Sequence, residues 1–156
     1  MKLKNNKAEN ALEVAVRIGE ESVLKALRGY YDSSETSQNL IEAARARRIS
    51  RVNSYMSAGA ELEFMDANGE TAFHRSALLG HNEMMDAFLK HDVDVNLKTT
   101  TGWTALMWAS EKGHIEIVRN LVSKGANVDC EHDDYGGTAL MMAAREGMTS
   151  VVSELL

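Results

Sequence analysis

A chain of 156 residues has the length of one domain, and 44% hydrophobic with 26% charged residues is enough to build a core. No run approaches the roughly 20 apolar residues that a membrane helix needs, Met1–Lys7 leads into no apolar signal segment, and a lone cysteine, Cys130, excludes an internal disulfide. A net charge of −6 argues against general nucleic-acid affinity, so the expectation is an intracellular protein, cytoplasmic or nuclear, with neither nucleic acid nor membrane as its partner.

The absence of proline and the 6% aromatic content favour helix over sheet. Charge is unevenly spread. Residues 1–60 carry ten Lys/Arg against seven Asp/Glu, and residues 61–156 carry seven against sixteen. An electrically polar molecule of this kind suits oriented encounter with a charged partner, or simply keeps its surface hydrated.

In chain order, LEVAVRIGEESVLKALRG from Leu12 shows apolar residues at helical spacing around Gly19. Its Arg17, Glu20, Glu21 and Lys25 give it a polar face. The stretch Tyr30–Asn39 is polar and reads as a linker. LIEAARARRISRVNSYMSAGAELE follows from Leu40. GETAFHRSALLGHNEMMDAFLKHDVDVN starts at Gly69, and GWTALMWASEKGHIEIVRNLVSKGANVD starts at Gly102, matching it at a period of 33. GGTALMMAAREGMTSVVSELL begins at Gly136, one residue late, the extra residue falling in Glu131–Asp134. Leu40 lies 33 residues before Phe73, so the register runs backwards too, whereas Leu12 precedes Leu40 by only 28. Five units follow, at about 8–32, 33–65, 66–98, 99–132 and 133–156, the first degenerate and the last cut short at Leu155-Leu156.

Each unit reads as turn, helix, helix, turn. In the fourth, Gly102 marks a tight turn and Thr104 is placed to cap a helix. Leu106, Ala109 and Ser110 share one helix face, and the small residues let a neighbour approach. Gly113 can end that helix in the left-handed conformation. A second helix carries Ile117, Val118, Leu121 and Val122, and Gly125 closes it. One such unit cannot bury both faces, so stacking must supply the core.

These residues resemble the ankyrin repeat. Asp66, Gly69, Thr71, His74, Ala77, Gly80, His81, Leu89, Val95 and Asn96 carry the resemblance in the third unit. In the fourth it lies in Gly102, Thr104, Leu106, Ala109, Gly113, His114, Val118, Leu121, Gly125, Ala126, Asn127 and Val128. Several copies in one register over residues 10–156 make the likeness specific. It implies an all-α ankyrin-repeat solenoid with short β-turn or hairpin loops. The copies depart from the family pattern in lacking its proline, in Arg47 at an inter-helix glycine position, and in Asp92 at a closing one. The Arg47 turn is expected to be either strained or reshaped. The apolar Leu155-Leu156 end suggests either continuation of the chain or a covering partner, and it is the one feature that would argue against a monomer.

The resemblance further implies a protein-interaction module with no catalytic role, whose turn tips and first helices line a concave binding side. The positions that vary there give a candidate partner site at Trp103, Trp108, Tyr135, Arg75, Met142, Glu111, Lys112 and Arg145. Exposed Trp, Tyr, Met and Arg are the types that carry interface energy. The competing reading has the tryptophans covering neighbouring turns and extending the core. Two further functions fit: a regulatory inhibitor of a kinase or other enzyme, and the targeting part of a larger protein with its catalytic domain elsewhere. Other motifs read as structure. His74, His81 and His114 are expected to bond turns and helix ends; Met84, Met85 and Met141 to pack. Arg45–Arg48 with Arg51 could grip an acidic peptide or a phosphate, though such a run is more often a solvated helix face. Cys130–Asp134 lacks the ligand set of a zinc site and the spacing of a calcium loop. No cofactor or metal is expected, and no nucleophile or phosphate-binding motif occurs.

Overall fold

The structure is a computed structural model, and it describes residues 6–28, 33–134 and 136–156. Among these, ten helices run in antiparallel pairs: α1 (Asn6–Ile18) with α2 (Glu21–Ala26), α3 (Ser33–Arg45) with α4 (Ile49–Ser57), α5 (Ala72–Leu78) with α6 (Asn82–Phe88), α7 (Ala105–Glu111) with α8 (Ile115–Ser123), and α9 (Ala139–Arg145) with α10 (Thr149–Leu155). The first helices α3, α5, α7 and α9 form one closely packed row, and α4, α6, α8 and α10 a looser one behind it. The tighter row is the inner wall of a curved all-helical solenoid.

Helices of six to thirteen residues are marginal alone, so packing must hold them. One continuous core threads the units: Leu40, Ile41 and Val52, then Phe73, Met85 and Phe88, then Leu106, Ile117 and Leu121. Each first helix after α3 is capped by its threonine. Thr104 accepts the Met107 N–H at 3.2 Å. Thr71 and His74 form a reciprocal capping box, the histidine ring replacing the usual carboxamide or carboxylate. The side chain that opens each turn tip holds it closed. Asp66 accepts the N–H groups of Asn68 and Glu70 at 2.8 and 3.0 Å, and Thr99 accepts that of Trp103 at 3.0 Å. An isolated antiparallel bridge from Lys98 to Thr104 is the sheet pairing present among the described residues. The extra residue of the fifth unit lies within its tip: Gly136 N–H bonds His132, four residues back, where Gly69 and Gly102 bond Asp66 and Thr99, three back.

Three expectations are corrected. The linker does not extend to Asn39, because α3 starts at Ser33. Ser37 donates to the Ser33 carbonyl at 2.6 Å and accepts the Glu61 N–H at 2.7 Å, so a longer helix replaces the turn tip (Tyr30–Asp32 of the expected linker lie outside the described residues). The first unit is degenerate as expected, but its outer face is not wholly polar. Both α1 and α2 pack on α4, and the exposed Arg17, Glu20, Glu21 and Lys25 share their surface with exposed Val14, Ile18 and Val23. Asp92 does not adopt the left-handed conformation of Gly125. Instead α6 ends two residues early relative to α8, and the His91 N–H bonds the Phe88 carbonyl at 2.9 Å.

Arg47 does take a positive φ, 57°, the one such non-glycine among the described residues. At Gly80 and Gly113 this corner is glycine for a steric reason as well. A Cβ on Gly80 would stand 2.7 Å from the His114 ring of the next unit. At Gly125, φ +87°, a Cβ would meet nothing within 4 Å. Gly125→Ala should therefore cost about 1 kcal/mol, for the left-handed backbone alone. Gly80→Ala should cost about 1–3 kcal/mol more, from overpacking against the ring. Urea denaturation of the two variants measures that difference.

Candidate functional site

The inner wall is built from side chains at three registers of each unit: just before the capping threonine, just after the histidine position, and near the end of the first helix. In the fourth unit these are Trp103, Trp108, Glu111 and Lys112. The indoles of Trp103 and Trp108 stack with ring centroids 4.0 Å apart and planes 14° from parallel. His132 of the next turn meets Trp103 edge-on at 5.3 Å. Both indoles are half-buried and lean on the core. The Trp108 Nε1–H is shielded from water and has no acceptor. The pair thus joins the turn segment to α7 and presents a rigid aromatic surface on the wall.

Charged residues around it are engaged with one another. Arg75 pairs with Glu70. Glu111 holds Lys112 at 3.0 Å and, across the unit boundary, Arg145 at 2.8 Å. Arg145 also meets Glu146 at 2.9 Å. Further along, Arg45 bonds Glu42 at 2.7 Å and Asp66 of the following turn. Burial alone would raise the Asp66 pKa, but the backbone donors of Glu70 and Asn68 with the guanidinium groups of Arg45 and Arg75 outweigh it and lower the pKa.

The structure gathers Arg75, Trp103, Trp108, Glu111, Lys112 and Arg145 onto this wall. Tyr135 lies outside the described residues. Met142 is a correction: it takes the register of Arg75 and Trp108 but is only 2% exposed. An unbranched thioether can fold flat among its neighbours, where a guanidinium or an indole stands out. Met141, expected to pack, is 60% exposed. Its counterparts His74 and Met107 are covered by the unit that follows theirs, and α9 belongs to the last unit described. The sequence did not reveal the stacking of the indoles. Their spacing of five residues crosses a turn, and periodicity carries no information there.

The histidines hold the scaffold. His74 Nε2 bonds the Leu97 carbonyl at 2.8 Å, and its Nδ1 lies 2.9 Å from the Thr71 hydroxyl and 3.3 Å from the Thr71 N–H. His114 Nε2 reaches back to the Leu78 carbonyl at 3.2 Å. His81 departs from the expectation: its Nε2 is buried without a partner. Among the described residues no group of three His, Cys, Asp or Glu side chains could hold a metal ion, and no helix is long and apolar enough to cross a membrane.

Stacked antiparallel helix pairs joined by turn tips, with a continuous core and a variable inner wall, define a repeat solenoid. The chain belongs to the ankyrin-repeat family: the family model for ankyrin repeats matches residues 40–132 and 98–156. It is 32% identical over 121 residues to a probable E3 ubiquitin-protein ligase of Oryza sativa subsp. japonica, covering 75% of this chain and 24% of that protein. It is 35% identical over 97 residues to a fem-1 homolog A-like protein of Mus musculus, covering 62% and 14%. It is 34% identical over 73 residues to protein phosphatase 1 regulatory subunit 27 of Mus musculus, covering 47% of each. The chain thus spans less than half the length of these curated relatives.

Burial lowers the His74 pKa below its usual value of about 6.5, the bond to Leu97 opposing this only in part. The unfolded chain therefore binds more protons than the folded one just below pH 6.5, and stability rises with pH there. Its contribution is present above about pH 6.5 and is lost as pH falls towards the folded value. Urea midpoints should drop from pH 7.5 to pH 5, and His74→Gln should flatten that dependence. An unchanged slope in the variant would remove His74 as its source.

Proposed function

We propose that this array binds a partner protein on its inner wall, with the Trp103–Trp108 stack as the anchor. The stack itself carries the reading. Two indoles occupy registers that are not core positions of the repeat, and Trp is the residue type most enriched at interface hot spots. The surrounding pairs Glu70–Arg75 and Glu111–Arg145 form a polar rim. A preformed wall orders little on binding, so less entropy opposes association. Leu79, 39% exposed at the end of α5, adds apolar area beside the stack's neighbouring unit. Tyr135 belongs to the proposed surface by its place in the sequence.

A second reading draws on the relatives, which include a ubiquitin ligase and a phosphatase regulatory subunit, both longer than the region matched. In it the array recruits a target for, or restrains, an enzyme supplied by another domain or chain.

The test compares the wild type with Trp103→Ala and Trp108→Ala variants shown to be folded by circular dichroism. Proteins captured from source-cell lysate by the wild type are identified and then titrated calorimetrically. Each substitution should cost about 2 kcal/mol of binding, roughly a thirtyfold loss of affinity. Variants that melt much lower yet bind the partner unchanged would make the stack a packing element and overturn the reading.

A further inference from the structure

One corner of the array breaks the rules that its other corners keep. At the inter-helix glycine, Gly80, Gly113 and Gly147 all have positive φ, and Arg47 occupies the same backbone conformation in the second unit. At the next position His81, His114 and Met148 are answered by Arg48. Three residues on, Met84, Ile117 and Val151 are each no more than 3% exposed, and their counterpart is Arg51. Three positions that elsewhere serve backbone geometry or packing carry arginine here. Each is unfavourable for the fold: a left-handed arginine is strained, and a charge at an apolar register must find water.

The fold does not use these charges. Among the described residues Arg47, Arg48 and Arg51 make no ion pair, whereas Arg75, Arg119 and Arg145 all do. The corner is also left unfilled. Where Gly80 receives the His114 ring, whose Nε2 reaches the Leu78 carbonyl, Arg47 faces His81, whose Nε2 has no partner. His81 is 5% exposed, and beside it opens a cavity of about 270 Å3 lined by Arg47, Ile49, His81, Glu83 and Met84. Strain, unpaired charge, an unsatisfied buried ring and open space thus coincide between the second and third units.

We propose that this corner is a second docking point, on the edge opposite the turn tips, which grips an Asp/Glu-rich segment of a partner protein through Arg47, Arg48 and Arg51. Guanidinium groups match carboxylates in planar, paired hydrogen bonds. Glu20 holds the register of Arg48 in the first unit, and Glu83 lies on the cavity wall beside Arg47. These carboxylates interrupt any continuous basic track of the kind a phosphate backbone follows, and the net charge of −6 opposes a polyanion further. A short acidic peptide needs no such track.

The decisive variant is Arg47→Gly, which restores the residue the other units use. A structural arginine and a binding arginine predict different results for it. The probe is fluorescein-labelled, acetylated hexaglutamate, followed by anisotropy, with a DNA oligonucleotide of equal charge alongside. The wild type should bind the peptide saturably, and more than about tenfold more weakly at 0.5 M than at 0.05 M salt. Arg47→Gly should raise Tm, by relieving the left-handed strain and letting His81 seat as His114 does, yet weaken the peptide at least about threefold. Arg48→Gln/Arg51→Gln should weaken it too, and Trp103→Ala should leave it unchanged. No saturable binding, wild-type affinity in Arg47→Gly and in the double variant, or tighter binding of the oligonucleotide would each overturn the proposal.

Discussion

The corner between the two helices of each unit sets the terms for the whole stack. The chain must reverse within a few residues, and the next unit must approach that reversal closely enough to bury its own first side chain. A positive φ achieves the reversal, and the missing Cβ of glycine makes room for the neighbour. Gly80 receives the His114 ring, and Gly113 receives the Met148 thioether, to which an added Cβ would come within 2.5 Å. The inner row of helices is then brought together, and small residues such as Ala77, Ala109 and Ala143, all fully buried, let it close. Because short helices are unstable singly, this contact between units is where the fold's stability resides.

Hydrogen bonds tie the same units at the opposite edge. The Thr100 N–H reaches the Gly69 carbonyl at 3.3 Å, Lys98 reaches the Glu131 carbonyl at 2.8 Å, and the Asn96 side chain accepts the Asn127 N–H at 2.7 Å. His74 adds a bond from a helix start in one unit to the Leu97 carbonyl leading into the next. A wall pinned at both edges is a rigid platform, and that is what a preformed binding surface requires. The aromatic stack stands on this platform where the third, fourth and fifth units meet. The arginine corner stands where the pattern of the platform is interrupted.

The two surfaces differ in kind. On the inner wall the charges neutralise one another around an aromatic centre, so selectivity there rests on shape and apolar contact. At the second unit's corner the charges are unpaired and the backbone is strained, so recognition there would depend on charge and on salt. The positive excess of residues 1–60 and the negative excess of residues 61–156 follow the same division. A partner that engaged both would be held in one orientation.

The sequence by itself determined the family, the number of units, the residues that cap and end the helices, and the place of the inserted residue in the fifth tip. Periodicity suffices for these because each is a local choice repeated at one register. It also placed Arg47 at an inter-helix glycine position, and the structure decided that the turn keeps its left-handed conformation. It could not determine how deeply a side chain at a given register is buried. Met141 and Met142 exchanged their expected exposures, because one depends on the unit that follows and the other on how a flexible chain lies among its neighbours. It could not foresee that Ser33–Asn39 would extend α3, since Ser37 is stabilised there by the Glu61 backbone, 24 residues away. The stacking of Trp103 on Trp108, the mutual pairing of the wall's charges and the unsatisfied His81 were likewise decided only by the tertiary structure. Each depends on distances across a turn or between units, and the order of residues along the chain does not contain them.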